Sequence, residues 1–262
     1  MQNRLVLVES AGSVMRLTLN RPDVLNSFNA EMSGELHSAL ADAAASREVR
    51  CVLLTGAGRA FCAGQDLSAV PPSVNGKFDL GAMVRATYNP VIKAIREIEK
   101  PVVCAVNGVA AGAGANIAIA CDIVIAAESA SFIQSFSKIG LVPDSGGTFF
   151  LPRSVGLPMA TAMMLLGEKI PAQRAHEMGM IYRVCSSESL MPESMALATK
   201  LAEMPTRGLG LTKRLLNTSL SSDLNAQLAA EEGMQRDAGH TSDFTEGVAA
   251  FKEKRQPRFT GE

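Results

Sequence analysis

Two glycine-rich stretches constrain this chain most: Phe61-Cys62-Ala63-Gly64-Gln65-Asp66-Leu67 and Asn107-Gly108-Val109-Ala110-Ala111-Gly112-Ala113-Gly114, the second almost bare of side chains. Each follows a compact apolar run, residues 49–55 and 102–106, that reads as a buried strand. Small residues at a strand exit let another group approach the main chain closely. In the second stretch Gly112 opens a small-residue helix, and a helix N-terminus presents unpaired N–H groups at the positive end of its dipole. Taken singly, the first reads as a tight structural turn and the second as close helix–sheet packing. Two such turns at the ends of two strands in one sheet point to convergent backbone donors, an oxyanion hole.

A third stretch, Pro143-Asp144-Ser145-Gly146-Gly147-Thr148, adds a carboxylate. By itself Asp144 reads as the N-cap of a helix starting near Gly146. Placed beside backbone donors, it becomes a candidate proton carrier.

The order of elements supports an α/β core. Residues 5–9 and 14–19 read as a strand pair around Ala11-Gly12. Asn29 is a good N-cap for a helix running to about residue 45, with Met32, Leu36, Leu40 and Ala43 at helical spacing. A helix is predicted over about 80–98, a strand over 122–126, and a loop over 68–77. Strands alternating with helices, each strand ending in a glycine-rich turn, place candidate sites at strand ends. After Gly147 the character changes. Helices are predicted at 159–166, 172–178, 190–204, 208–216, 224–236 and 242–251, with a strand-like run at 181–184. We set the division at residue 193, giving an α/β core over 1–193 and a helical region over 194–262. The apolar faces of that region need a partner, either its own core or a neighbouring subunit.

Composition excludes several function classes. The 262 residues suffice for a sizeable core, and 47% are apolar. With 25 basic and 26 acidic residues the net charge is -1, which gives no electrostatic footprint for nucleic acid or an anionic membrane. There is no apolar run long enough to span a bilayer and no leader-like start, so we expect a cytoplasmic protein. The five cysteines form no C-x-x-C pair and are expected to be reduced and buried. The three histidines are scattered, and no metal site is expected. The run Val52-Leu53-Leu54-Thr55-Gly56-Ala57-Gly58 is similar to a dinucleotide-binding turn, but the third glycine of that fingerprint falls on Phe61.

The markers in combination and order are those of a family. They are Leu19-Asn20-Arg21-Pro22 with Leu25-Asn26-Ser27-Phe28, then residues 61–67, Asn107-Gly108 leading to Gly112-Ala113-Gly114, Cys121-Asp122-Ile123, and residues 140–148. Over essentially its whole length the chain resembles the crotonase, or enoyl-CoA hydratase/isomerase, superfamily. The resemblance implies a spiral of ββα units with a C-terminal helical region used in forming a homotrimer or a hexamer. It implies an acyl-CoA thioester substrate and no resident cofactor, coenzyme A being part of the substrate. It puts the oxyanion donors at the N–H groups of Gln65 and Ala113, and the CoA channel near Leu25, Ala63, Gly64, Asp66, Leu67 and Gly112. The basic cluster Lys252, Lys254, Arg255 is either a solvated helix end or, through Lys254, a clamp on CoA phosphate, from a neighbouring subunit if not its own.

The departures from the family pattern narrow the chemistry. The two glutamates with which family hydratases deliver water fall here on Asn116 and Phe136, neither of which transfers protons. Asp144 matches the carboxylate position of isomerase-type members. The chain has no tryptophan, so the tryptophan-rich pocket of the dehalogenases is ruled out. Tyr88-Asn89-Pro90, Phe136-Ser137-Lys138-Ile139-Gly140, residues 175–181 and Phe259-Thr260-Gly261 are similar to the isomerases that rearrange aromatic-ring epoxides of CoA thioesters. An aspartate serving as base at neutral pH needs surroundings that raise its pKa. Phe136, Ile139 and Leu141 are the expected apolar neighbours.

Overall fold

The computed structural model describes residues 4–69, 79–219 and 221–262. The first half runs β1 Val6–Ala11, β2 Val14–Leu19, α1 Ala30–Ala45, β3 Cys51–Gly56, β4 Ala60–Cys62, α2 Leu80–Ala86, α3 Tyr88–Glu97, β5 Val102–Val106, β6 Val109–Ala111, α4 Ala113–Ala120, β7 Ile123–Ala127 and β8 Ser131–Ile133. The second half runs α5 Gly147–Val155, α6 Leu157–Leu166, β9 Lys169–Pro171, α7 Ala172–Glu177, β10 Arg183–Cys185, α8 Leu190–Ala202, α9 Thr206–Ser219, α10 Leu224–Gly239 and α11 Ser242–Glu253.

Two sheets organise these elements. The larger has the order β1-β2-β3-β5-β7-β10, with β1 and β2 antiparallel and the remaining neighbours parallel. The smaller has the order β4-β6-β8-β9. Its strands β4, β6 and β8 each follow β3, β5 and β7 after a short turn, and they pair in parallel in the same sequence. The chain thus repeats one step, a long strand, a short strand and then helix, and winds as a spiral of ββα units. The short strands escape sequence reading because three residues are too few for a period to show.

The core sits on β3 and β5. Every residue of β5 is buried, and so are the first five of β3. Strands covered on both faces read as continuous apolar runs, which is why they were legible. Helix α1 starts where predicted: the Asn29 side chain accepts the Met32 N–H at 2.8 Å, satisfying a donor that the first turn leaves without a partner. The helix expected over 80–98 is two helices that meet at Thr87. Pro90 is the reason. It has no N–H for the carbonyl four residues earlier, so an unbroken helix is penalised, whereas a break at Thr87 puts Pro90 in the first turn of α3, where no donor is needed. Of the loop expected over 68–77, Ser68 and Ala69 belong to a short 3-10 turn, and the rest lies outside the described residues. The division at residue 193 falls inside α8, and that helix packs on β3, β5 and β7.

A buried ionic hub ties the helical region to the sheet. The Asp122 carboxylate accepts from Arg96 at 2.9 Å, from Lys213 at 2.7 Å and from the Val102 N–H at 2.8 Å. Lys213, on α9, is only 7% exposed and also donates to the Ile95 and Lys100 carbonyls. Burial lowers its pKa, and the adjoining Asp122 opposes that shift. Farther on, the Asp243 carboxylate accepts from the Thr260 and Gly261 N–H groups, and Arg50 donates to the Phe259 carbonyl, so the last residues fold back onto the chain. Among the described residues no helix is long and apolar enough to cross a membrane.

Removing one partner from a buried ionic hub strands the other charge. We expect Asp122→Ala to destabilise the fold by about 3–5 kcal/mol, because Lys213 is left buried without its counter-charge. Chemical denaturation of the two proteins side by side measures this.

Candidate active site

The ends of β4 and β6 meet across the smaller sheet, and two glycines set how closely. A Cβ on Gly114 would lie 2.4 Å from the Cys62 carbonyl oxygen and 2.7 Å from its Sγ, so only glycine lets α4 approach β4 this far. Gly64 has φ of +93°, and a Cβ there would lie 2.9 Å from the Ala111 carbonyl and 3.7 Å from the Ala113 nitrogen. The two glycine-rich stretches are therefore in contact along their backbones.

The first turn is held from outside by the segment after β2. The Ala63 N–H donates to the Leu25 carbonyl at 3.0 Å, and the Asp66 N–H donates to the Phe28 carbonyl at 2.8 Å. The fully buried Asn26 anchors that segment by donating to the Ala57 and Ala60 carbonyls and accepting from the Arg21 N–H. Asn26 has φ of 56°, a left-handed conformation that asparagine tolerates better than most residues. On the second turn the Gly112 N–H donates to the Ile133 carbonyl at 2.8 Å. With these neighbours engaged, the Gln65 and Ala113 N–H groups have no backbone acceptor among the described residues. Ala113 is the first residue of α4, so its N–H lies at the positive end of that helix.

Both stretches open on one cavity of about 540 Å³. Ala63, Gly64, Gln65, Leu67, Gly112 and Ala113 line one side of it. Phe136, Ile139, Leu141 and Asp144 line it too, joined by Leu80, Met83, Val84 and Tyr88 from α2 and α3. Among the described lining residues Asp144 is the one carboxylate.

Asp144 does not cap α5. Gly146 occupies the N-cap position, and no side chain caps it. Instead the Asp144 carboxylate accepts from the Ser145 hydroxyl at 2.8 Å, while Ser145 and Gly146 both take left-handed φ, 51° and 74°. The Asp144 carbonyl accepts from the Asn116 side chain at 2.8 Å and from the Gly147 N–H at 2.9 Å. Asn116 is itself fully buried and accepts from Gln134 at 2.8 Å. The position where the resemblance placed a hydratase glutamate thus holds the turn that carries Asp144. Burial raises the Asp144 pKa, and the Ser145 hydrogen bond offsets part of that rise. Burial also pushes the nearby Cys62 thiol up to about 12, so no thiolate competes as a nucleophile.

Three residues assigned to the substrate from the sequence do not line this cavity. Leu25 contributes its carbonyl to the Ala63 turn and does not line the cavity. Asp66 faces Arg21 at 2.8 Å and Ser68 at 2.6 Å; the Ser68 hydroxyl and then Arg21 hold its carboxyl below the usual range. Lys254 is exposed at the end of α11, outside the cavity of its own chain. Its neighbour Arg255 is paired with Glu246 and Glu253. The lining residues that were not assigned from the sequence include Tyr88 and Lys138. Tyr88 carried a readable signal, since a tyrosine in an apolar run must find a partner for its hydroxyl when buried.

Comparisons with known proteins point to one family. A family profile described as enoyl-CoA hydratase/isomerase matches residues 9–262. The chain is 51% identical over 249 residues, 95% of each protein, to a 1,2-epoxyphenylacetyl-CoA isomerase of Escherichia coli (strain K12). It is 46% identical to a probable enoyl-CoA hydratase of Rhodobacter capsulatus, over 94% of this chain and 93% of that one. Among solved structures, an enoyl-CoA hydratase from Polaromonas sp. JS666 superposes with a TM-score of 0.91 at 35% identity, covering 97% of this chain and 99% of the other.

The raised pKa of Asp144 has a stability consequence. A carboxyl raised in the folded state disfavours folding once it ionises, so this contribution to stability falls as pH climbs from the unfolded value through the folded one. Asp144→Asn removes that cost. Thermal unfolding is expected to show a higher midpoint for the variant at pH 7, with the difference shrinking as the pH is lowered through the folded-state pKa.

Proposed function

Because the chain belongs to the enoyl-CoA hydratase/isomerase family, we propose that it is a CoA-thioester isomerase that converts 2-(1,2-epoxy-1,2-dihydrophenyl)acetyl-CoA to its seven-membered oxepin isomer, as in phenylacetate catabolism. The observation that carries the reading is that Asp144, the one carboxylate among the described lining residues, shares its cavity with Gln65 and Ala113, whose N–H groups have no backbone acceptor among the described residues. The 51% identity to an isomerase of that substrate supports the choice of acyl group.

In this reading the thioester oxygen lies on the Gln65 and Ala113 N–H groups. Asp144 takes a proton from the methylene beside the thioester carbonyl, and the electron pair moves onto that oxygen as an enolate. One well-placed donor of this kind is worth about 3–4 kcal/mol in the transition state. The carbon–carbon bond shared by the epoxide carbons breaks as the ring expands, and Asp144 returns the proton to the conjugated system. No atom is gained or lost, so one carboxylate suffices and no cofactor is required. Water addition needs a second acid–base group, and Asn116 and Phe136 do not supply one. The apolar wall of Met83, Val84, Ile139 and Leu141 also suits an alkyl chain. The same proton transfer would shift a 3-enoyl-CoA double bond to the 2-position, which makes that a secondary activity.

The reading includes assembly of identical subunits into a trimer or a hexamer. Helix α10 buries none of its residues, and Leu224, Leu228, Phe244 and Phe251 on α10 and α11 are exposed in the single chain. Covering those faces with further copies would bring Lys254 toward a neighbour's CoA.

Turnover of the epoxide thioester and of a 3-enoyl-CoA by wild type and Asp144→Asn tests the proposal. The epoxide is expected to be the better substrate, and the variant is expected to lose about 10²–10⁴-fold in kcat with KM little changed. Because the base acts deprotonated, the wild-type rate should fall as pH drops through the raised Asp144 pKa, above the ordinary aspartate range. Equal rates for the two proteins would remove Asp144 from the chemistry.

A further inference from the structure

The Gln65 amide has a support that the reaction itself does not require. The break at Thr87 starts α3 on Tyr88, whose ring is 1% exposed and leans on Phe28 with ring centroids 5.9 Å apart. Phe28 is the residue whose backbone brackets Gln65: its N–H donates to the Gly64 carbonyl at 2.7 Å, and its carbonyl accepts from the Asp66 N–H at 2.8 Å. The Tyr88 hydroxyl donates to Gln65 Oε1 at 2.5 Å, and Gln65 Nε2 donates to the Asp66 carbonyl at 3.1 Å. The Gln65 side chain is therefore fixed at both polar ends, with one end tied to the peptide between Asp66 and Leu67. The break itself is tied to α1, since the Ser33 hydroxyl donates to the Thr87 carbonyl at 2.8 Å. A hydroxyl on a buried residue, a glutamine clamped at both ends and a backbone bracket hold the three consecutive peptides from Gly64 to Leu67, the first of which carries the Gln65 N–H.

From this convergence we infer that Tyr88 is a positioning residue: acting through the Gln65 side chain, it sets the direction of the Gln65 N–H toward the substrate oxygen. The inference rests on the enolate reading and goes beyond it by naming what aims one of the two donors. A donor a few tenths of an ångström or some degrees off line loses much of its value, because it stabilises charge only where the charge develops. Tyr88 carries no charge in this role. Burial, and after it the nearness of Asp144, raises its pKa, so the phenol remains a donor.

Tyr88→Phe removes only the hydroxyl. Gln65→Met removes the acceptor and leaves the backbone N–H in place. Each is expected to lower kcat about tenfold with KM within about twofold, since the contact strengthens only as the oxygen gains charge. The double variant is expected to be no worse than either single one, because both remove the same link. The acidic limb of the pH–rate profile, set by Asp144, should stay where it is. Wild-type kcat in Tyr88→Phe, or effects that add in the double variant, would overturn the inference. If wild type turns over only the 3-enoyl-CoA substrate, the choice of acyl group fails, and the same cycle on that substrate still decides the role of Tyr88. If wild type turns over neither substrate, the enolate reading and this inference both fall.

Discussion

The close approach of two backbones, at Gly64 on Ala111 and Ala113 and at Gly114 on Cys62, is the constraint on which the rest depends. It exists because the smaller sheet pairs β4 with β6 directly beyond the ends of β3 and β5. Strands that pair in parallel leave by the same end, so their exits lie side by side. Glycine then removes the only atoms that would hold the two main chains apart. What results is a wall whose exposed polar groups are amides, fixed by the fold before any ligand arrives. Donors preorganised in this way need no rearrangement when charge develops.

Around that wall the molecule spends its polar side chains on holding backbone. Asn26, Asn116 and Gln65 are polar, buried or half-buried, and bonded to the turns that carry the site. Among the described residues the one carboxylate lining the cavity is Asp144, its pKa raised by burial. The position where a hydratase would hold a glutamate has become, in Asn116, a brace for the Asp144 turn. In the proposed reading, the swap of a proton carrier for a brace is a local account of how one family scaffold would favour isomerisation over hydration.

Much of this was legible in the sequence, and the residues explain why. The strands at β3 and β5 are continuous apolar runs, Asn29 is an N-cap before a helical period, and the glycine-rich exits stand out by composition. The candidate donors and Asp144 came from motif order and from the resemblance, and the structure brings all three to one cavity. What stayed hidden depends on distance or on very short elements. Strands of three residues have no period to read. The helix expected over 80–98 runs through Pro90, and the break at Thr87 was visible only once the place of Pro90 in the first turn of α3 was known. Leu25 and Asp66 sit in motif positions and do not line the cavity; their bonds to the Ala63 turn and to Arg21 depend on distances that no motif records. Tyr88 was one residue in a quoted segment until its hydroxyl was found against Gln65.

The central claim is geometric: the thioester oxygen sits on the amides of residues 65 and 113, with its adjoining carbon against the side chain of residue 144. A crystal structure of the Asp144→Asn protein holding an intact acyl-CoA thioester tests it most directly. The account predicts the thioester oxygen within hydrogen-bond distance of both nitrogens, and the methylene facing the substituted side chain at position 144. A carbonyl bound away from those two nitrogens, or a methylene turned from that side chain, would contradict it.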